Sequence, residues 1–410
     1  MLAGESNNNI RWKIALLICV ASALNYMDRN ILAILAPVIQ KDLNWTDADY
    51  AGITSLFVLS YTFMYAISGG IVDRIGSKWG YACAVGSWSF VSILHAFAQS
   101  VTHFSLLRFL LGVFESANFP AGVKVVSEWF LIKERAFGIG ILSAGSAIGA
   151  TIAIPLLSYI SMSLGWRMAF IISGGLGFIW FIYWIRIYQR PFSHHDVTST
   201  ENKISQINIQ KLLSVKESWG CISARIFIDP VVYFFLFWIP KYLHDAHGFS
   251  IEKLAFTAWL PYATMGLGTL LGGYLPKWLV ENKGTNLNVI RKRMMFFSSL
   301  LIPVCCYALT NQQDILKVIF LLSAILFLHG LWSNLSLPAE VFPTEMQATI
   351  TGLGGTFGGI MSFITQYFIG LAVLHFSYKP IFFLIGSVYL IAFVLVHFLI
   401  GEIGVIRKIN

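Results

Sequence analysis

Eight charged residues of this chain lie within otherwise apolar stretches: Asp28, Arg29, Arg108, Glu115, Lys124, Glu128, Arg225 and Asp229. A charge placed in hydrocarbon costs about 2.5–3.5 kcal/mol on insertion scales, so each of these needs a partner or a task. Two kinds of chemistry suit such side chains. A carboxyl in a desolvated site exchanges a proton readily, because burial favours its neutral form while a nearby arginine favours the charged one. A planar guanidinium grips a carboxylate through two parallel hydrogen bonds, which a lysine cannot match. Arg108 and Glu115 stand seven residues apart, two turns along one helix face, with Gly112 between them to admit a close neighbour. Either they form a permanent ion pair that locks their helix to another, or Glu115 changes protonation with what occupies the site. Arg225 and Asp229 stand one turn apart and are followed by Pro230, which removes a backbone hydrogen bond. They also admit two readings: a self-neutralised pair that eases insertion, or an arginine poised against an anion. Lys124 and Glu128, at the same spacing, read as a structural pair. Asp28 and Arg29 are adjacent, so they point about 100° apart and cannot pair on one face.

The elements that must position these charges follow from composition. Of 410 residues, 57% are hydrophobic and 12% charged, and the mean hydropathy is +0.70. A soluble domain carries roughly 25% charged residues. About 20 mostly apolar residues cross the hydrocarbon layer of a bilayer. Cutting the chain at its apolar runs gives candidate spans near Trp12–Ile34, Tyr50–Val72, Gly80–Gln99, Phe104–Val126, Ala136–Ile160 and Met168–Ile185. A second set lies near Ile222–Leu243, Phe256–Leu279, Met295–Leu309, Ile315–Leu337, Ile350–Leu374 and Pro380–Ile400. The expected fold is an all-α membrane protein with twelve transmembrane helices in two six-helix halves, residues 1–185 and 220–410, joined by a cytoplasmic linker at 186–219.

That linker is the longest polar interruption inside the chain. Ile204, Ile207, Leu212, Leu213 and Val215 give it the makings of a short interfacial helix. His194-His195-Asp196 has no third ligand at a readable spacing and reads as a solvated loop rather than a metal site. The net charge is +8. With the N-terminus in the cytoplasm, the loop lysines and arginines fall on that side except for Lys41, Arg167, Lys241, Lys253, Lys317 and Lys379. This asymmetry puts both termini in the cytoplasm and makes the basic excess a matter of topology, not a nucleic-acid footprint. Cys19, Cys83, Cys221, Cys305 and Cys306 show no C-x-x-C spacing and read as packing residues. The first thirteen residues lack the basic and small-residue pattern of a cleaved signal.

Two loops echo each other across the halves. Gly69-Gly70-Ile71-Val72-Asp73-Arg74-Ile75-Gly76-Ser77-Lys78 joins spans two and three, and Gly272-Gly273-Tyr274-Leu275-Pro276-Lys277 opens the matching loop of the second half. Small residues let helices approach at a tight turn, and the charges hold that turn at the membrane surface. The first copy fits a G-x-x-x-D-R-x-G-x-K pattern, with Gly69, Asp73, Arg74, Gly76 and Lys78 at its fixed places. In this it resembles the major facilitator superfamily, and the second copy has lost its Asp. Asn25-Tyr26-Met27-Asp28-Arg29-Asn30, Glu115-Ser116-Ala117-Asn118-Phe119-Pro120-Ala121-Gly122 and Ser127–Ala136 resemble the anion:cation symporter branch. Gly165–Gly174 and the helix Arg225–Pro240 resemble bacterial hexuronate transporters in particular, alongside galactonate, glucarate and tartrate carriers.

The resemblance implies a secondary transporter of the bacterial inner membrane. It would move a small organic anion, a hexuronate-like sugar acid, together with protons by alternating access. Such a carrier works as a monomer in the lipid bilayer and needs no cofactor, only a proton gradient. Glu115 matches the proton site of these symporters, Asp28 is a second protonatable site, and Arg29 is a ligand of the substrate carboxylate. Arg108 and Arg225 join it as anion ligands, so that arginines from both halves clamp the substrate. Tyr61 sits at the level of the family's substrate tyrosine, and Tyr26 offers a second aromatic face. His329, Ser333, Asn334 and Ser336 of span ten and Gln366 of span eleven are polar among apolar neighbours. Each suits an interhelical hydrogen bond or a ligand contact, and Asn334 and Ser336 are assigned to the substrate. The glycines of Gly352–Gly359 have no strand before them and no Gly-Lys-Ser/Thr after, so they read as helix packing. No nucleophile triad, metal constellation or nucleotide motif is legible, and an enzyme is not expected. The rivals are an organophosphate:phosphate-type exchanger and a non-transporting sugar-acid receptor.

Overall fold

The computed structural model describes residues 2–130, 135–189, 209–332 and 336–404. Among these, every regular element is helical. The first set is α1 (Leu2–Leu43), α2 (Asp47–Ile75), α3 (Ser77–Leu94), a 3-10 turn at His95–Phe97, α4 (Val101–Glu115), α5 (Asn118–Trp129), α6 (Arg135–Leu164) and α7 (Trp166–Ile187). The second set is α8 (Ile209–Leu213), α9 (Lys216–His247), α10 (Ile251–Thr257), α11 (Leu260–Lys283) and α12 (Leu287–Thr310). It continues through α13 (Ile315–Trp332), α14 (Leu337–Val341), α15 (Thr344–His375) and α16 (Lys379–Ile400). Among the described residues, twelve segments are long and apolar enough to cross a membrane, six up to Ile187 and six from Lys216 onward. The His194-His195-Asp196 cluster and the first part of the expected interfacial helix, with Ile204 and Ile207, lie outside the described residues, and α8 covers Leu212 and Leu213.

The two echoing loops are less loop than the sequence suggests. Helix α2 runs through Gly69 and Gly70 to Ile75, and the turn is made by Gly76 alone, at φ 88°. A side chain is strained at that angle, which accounts for a glycine there. The second copy, Gly272–Lys277, lies wholly within α11. Pro276 has no N–H to give the Gly272 carbonyl, and Arg291 of α12 fills that place, its Nη1 donating at 2.7 Å. Span four, expected to be continuous, is broken between Glu115 and Asn118 into α4 and α5. Pro120 cannot donate to the Ser116 carbonyl, and the Ser68 hydroxyl of α2 lies 3.4 Å from it.

Close contacts group the chain into two compact units. The first comprises Met1–Pro191, Phe234–Ala263 and Gln366–His375. Within it α1 packs on α6 and α7, α2 on α4, α3 on α7, and α10 on α6. At Gly112, α4 comes so near α2 that an added Cβ would meet the Phe57 carbonyl oxygen at 2.6 Å. Lys241, 4% exposed, is held between Asp47 at 2.7 Å and Asp245 at 2.6 Å. Tyr50 donates to the Phe237 carbonyl, and Trp238 Nε1 donates to Gln366 Oε1 at 2.8 Å. The second unit comprises Phe192–Tyr233, Thr264–Thr365 and Phe376–Asn410, and in it α12 packs on α13 and α16.

Candidate functional site

Four ionisable side chains of the first unit come together deep in its interior. Asp28, Arg29 and Arg108 are 1%, 3% and 1% exposed, and Glu115 is 0% exposed. Arg29 Nε donates to Glu115 Oε2 at 3.2 Å, and its Nη2 donates to Asn25 Oδ1 at 3.2 Å. Its guanidinium lies over three aromatic rings, 4.5 Å from the centroid of Tyr61, 4.7 Å from Tyr26 and 5.3 Å from Phe57. Each such stack contributes about 0.5–2 kcal/mol, the more so where water is excluded. Phe57 and Tyr61 are one turn apart on α2, their rings stacked at 5.8 Å, and Tyr65 continues the ladder at 5.8 Å. Gly112 allows α2 to bring this ladder against α4.

The other two charges are held less completely. Arg108 Nη1 donates to the Arg29 carbonyl at 3.3 Å, while Arg108 Nε and Nη2 have no hydrogen-bond partner among the described residues. Asp28 faces away from Arg29, as adjacent helical residues must. Its Oδ1 accepts from Ser92 of α3 at 2.7 Å and from Ser173 of α7 at 2.6 Å. Asp28 Oδ2 and Glu115 Oε1 are buried without a partner among the described residues. A buried polar atom left in this state costs about 1–3 kcal/mol unless water or a ligand supplies a partner. The cluster therefore holds two fixed positive charges, two groups able to take a proton, and unfilled donors on Arg108.

The partners differ from those the spacing suggested. Glu115 pairs with Arg29, not with Arg108, because seven helical residues rise about 10.5 Å, too far for the pair to close without a neighbour. Lys124 does not pair with Glu128. It reaches Asp73 Oδ1 at 2.8 Å and the carbonyls of Val72 and Asp73, tying the end of α2 to α5. Glu128 instead accepts from Ser77 at 2.5 Å and from the Tyr188 hydroxyl. In the second unit Arg225 Nε meets Asp229 Oδ2 at 2.6 Å, the self-neutralised arrangement. The glycines of α15 make room for it: an added Cβ at Gly354 would lie 3.0 Å from Arg225 Cγ, and one at Gly358 would strike the Asp229 carboxyl. Ser336, expected at the substrate, accepts from Arg291 Nη2 at 2.8 Å beside the Arg291–Glu340 ion pair. That arginine already braces Gly272, so Ser336 belongs to the network joining α11, α12 and α14. Asn334 lies outside the described residues. His329 bonds Tyr389 across α13 and α16 at 2.8 Å, and Gln366 bonds Trp238, so both act as interhelical links. Asn25, Ser92, Ser173 and Phe57 surround the cluster but carry no charge, and only their place on a helix face next to Asp28 or Arg29 would have pointed to them.

The family model described as Major Facilitator Superfamily matches residues 18–366. The chain belongs to the major facilitator superfamily. It is a multi-pass membrane transporter and not an enzyme. A hexuronate transporter of Escherichia coli (strain K12) is 32% identical over 391 residues, covering 91% of this chain and 90% of that one. A galacturonate transporter of Dickeya chrysanthemi is 31% identical over 306 residues, covering 71% of this chain and 89% of its own. Among solved structures, a bacterial homolog of the human lysosomal transporter Spinster, in an inward-facing and occupied conformation, superposes with a TM-score of 0.75. It is 17% identical, covers 95% of each chain, and bears on the fold alone.

Proposed function

We propose that this facilitator carries a hexuronate-like sugar acid together with protons, by alternating access. The observation that carries the reading is the charge balance of the buried cluster. With Asp28 and Glu115 ionised, Arg29 and Arg108 are balanced. Protonation of Glu115 leaves one positive charge in excess and frees Arg29 from its ion pair. A substrate carboxylate then restores neutrality, with Arg29 and the unfilled Nε and Nη2 of Arg108 as its donors. Proton and anion enter as a pair because either alone leaves an unbalanced charge in a desolvated site. Tyr26 and Tyr61 offer ring faces and hydroxyls to the sugar, and Asp28, held by two serines, is a second proton site. Arg225 is a weaker candidate ligand, since Asp229 already neutralises it. The hexuronate and galacturonate transporters among the relatives support a sugar acid as the cargo. The distribution of basic loop residues supports a bacterial inner-membrane orientation with both termini in the cytoplasm.

The test is uptake of labelled galacturonate into proteoliposomes under an imposed pH gradient, with and without an uncoupler. Accumulation above the external concentration that the uncoupler abolishes is the expected result. Uptake indifferent to the uncoupler but driven by internal phosphate would identify an exchanger instead, and binding without uptake would identify a receptor.

A further inference from the structure

The first unit takes in the ends of two helices that belong by sequence to the second set, the last turns of α9 from Phe234 and the Gln366–His375 end of α15. Both meet the start of α2. The Tyr50 hydroxyl donates to the Phe237 carbonyl, and the Tyr50 ring stands edge-on to Trp238 with centroids 5.1 Å apart. An added Cβ at Gly370 would lie 2.1 Å from Ala51 Cβ, so α15 rests directly on α2 there. Among these uncharged contacts one ion cluster is buried. Lys241 Nζ of α9 lies 2.7 Å from Asp47 Oδ1 and 2.6 Å from Asp245 Oδ2.

The two acids stand differently to the lysine. Asp245 is one turn further along α9, so that pair moves together wherever the helix goes. Asp47 is the first residue of α2 and belongs to another helix. When α9 and α2 part, Lys241 keeps Asp245. Asp47 keeps Gln40 of α1, whose Nε2 donates to its Oδ1 at 3.1 Å, and it keeps the positive end of the α2 dipole, which favours an acid there. Neither charge is stranded by the separation, so the contact between them can break and re-form without leaving a buried ion unpaired. On the proposed topology this end of α2 and α9 faces outside, and alternating access requires it to open. Resting on that reading, we infer that Lys241 and Asp47 form the latch of the outer gate, and that Asp245 is the counter-ion that stays with the lysine while the gate is open.

A bond kept in both the closed and the open state cancels from the balance between them, so the two acids predict different outcomes. The experiment places spin labels at Lys41→Cys and Ala246→Cys, exposed positions at the ends of α1 and α9. The full-length carrier is reconstituted in proteoliposomes with its five native cysteines replaced by alanine. Pulsed EPR distances between the labels then report the closed and open populations. Asp47→Asn should raise the ratio of open to closed by about fivefold, the loss of one charge from a hydrogen-bonded pair. Asp245→Asn should leave that ratio within about twofold of the starting carrier, because the bond it weakens is common to both states. Lys241→Gln removes the latch from the other side and should also open the gate, which covers a folding failure of Asp47→Asn. Equal opening by Asp245→Asn and Asp47→Asn would make the cluster a structural support of the lysine and overturn the inference. So would an unchanged ratio in a folded Asp47→Asn carrier. Galacturonate supplies the control. A single distance that neither galacturonate nor any variant moves would defeat alternating access and the latch with it. Distances that shift with galacturonate but ignore Asp47→Asn and Lys241→Gln would remove the latch alone.

Discussion

Replacing Glu115 by glutamine tests the charge balance most directly. The amide keeps an oxygen where Glu115 Oε2 accepts from Arg29 Nε at 3.2 Å, so the contact survives without its charge. The amide oxygen still accepts from a charged guanidinium, so only the carboxylate's own charge is lost, and Arg29 is released by on the order of 1 kcal/mol. That release passes to the substrate carboxylate, and galacturonate affinity at high pH should rise about fivefold. The sign with pH follows. On the symport reading the bound state of the wild type holds one more proton than the free state, so affinity should improve as pH falls through the titration of Glu115. In Glu115→Gln that proton has no site, and affinity should no longer respond through it. Exchange of labelled for unlabelled galacturonate should persist, because the loaded carrier still turns over, while accumulation driven by a pH gradient should be lost. The assays are counterflow and gradient-driven uptake in the same proteoliposomes. Intact accumulation by Glu115→Gln would refute the reasoning, and loss of both folding and binding would make the Arg29–Glu115 pair purely structural.

Arg29→Lys keeps the charge but loses the planar fork and its stacking over three rings, so it should weaken galacturonate binding by roughly 10- to 150-fold in a direct binding assay. Arg225→Lys should do less in that assay, because Asp229 already pairs with it at 2.6 Å. Gly112→Ala should lower the melting temperature in detergent, through an overpacking penalty of about 1–3 kcal/mol, and weaken galacturonate binding as α2 moves its ring ladder away from Arg29. Adding Ser60→Ala should restore only part of it, since the Phe57 carbonyl still stands 2.6 Å from the new Cβ. A reporter active only in the cytoplasm should give signal when fused after Arg190 or at Asn410 and none when inserted near Asp245; the reverse pattern would overturn the topology.

The twelve spans and the identity of the buried charges were legible in the sequence for one reason. Hydrocarbon makes both long apolar runs and isolated charges conspicuous, whatever the tertiary arrangement. The pairing of those charges was not legible. Spacing along one helix offered Arg108 to Glu115 and Lys124 to Glu128, and in each case a side chain from another helix has the better geometry. Arg225 and Asp229 keep the partner that their spacing proposes, in space left by the glycines of α15. The ends of helices were misread for a related reason. Gly272 and Pro276 look like a turn, yet α11 continues through them because Arg291, fifteen residues beyond the proline, supplies the missing donor. The break after Glu115 was overlooked because hydropathy does not register a proline whose lost hydrogen bond a serine on another helix can replace.

Asp28 and Arg29 occupy one turn of α1 but are fastened to different neighbours. The carboxyl is tied to α3 and α7 through Ser92 and Ser173, and the guanidinium is tied to α4 through Glu115 and laid on the rings of α2. Mechanically, α1 is a shaft gripped on two sides at the same height. A twist of α1 about its axis would loosen one of the two grips. Two buried carboxyls, one on α1 and one on α4, are thereby fastened at adjacent residues of one stiff turn.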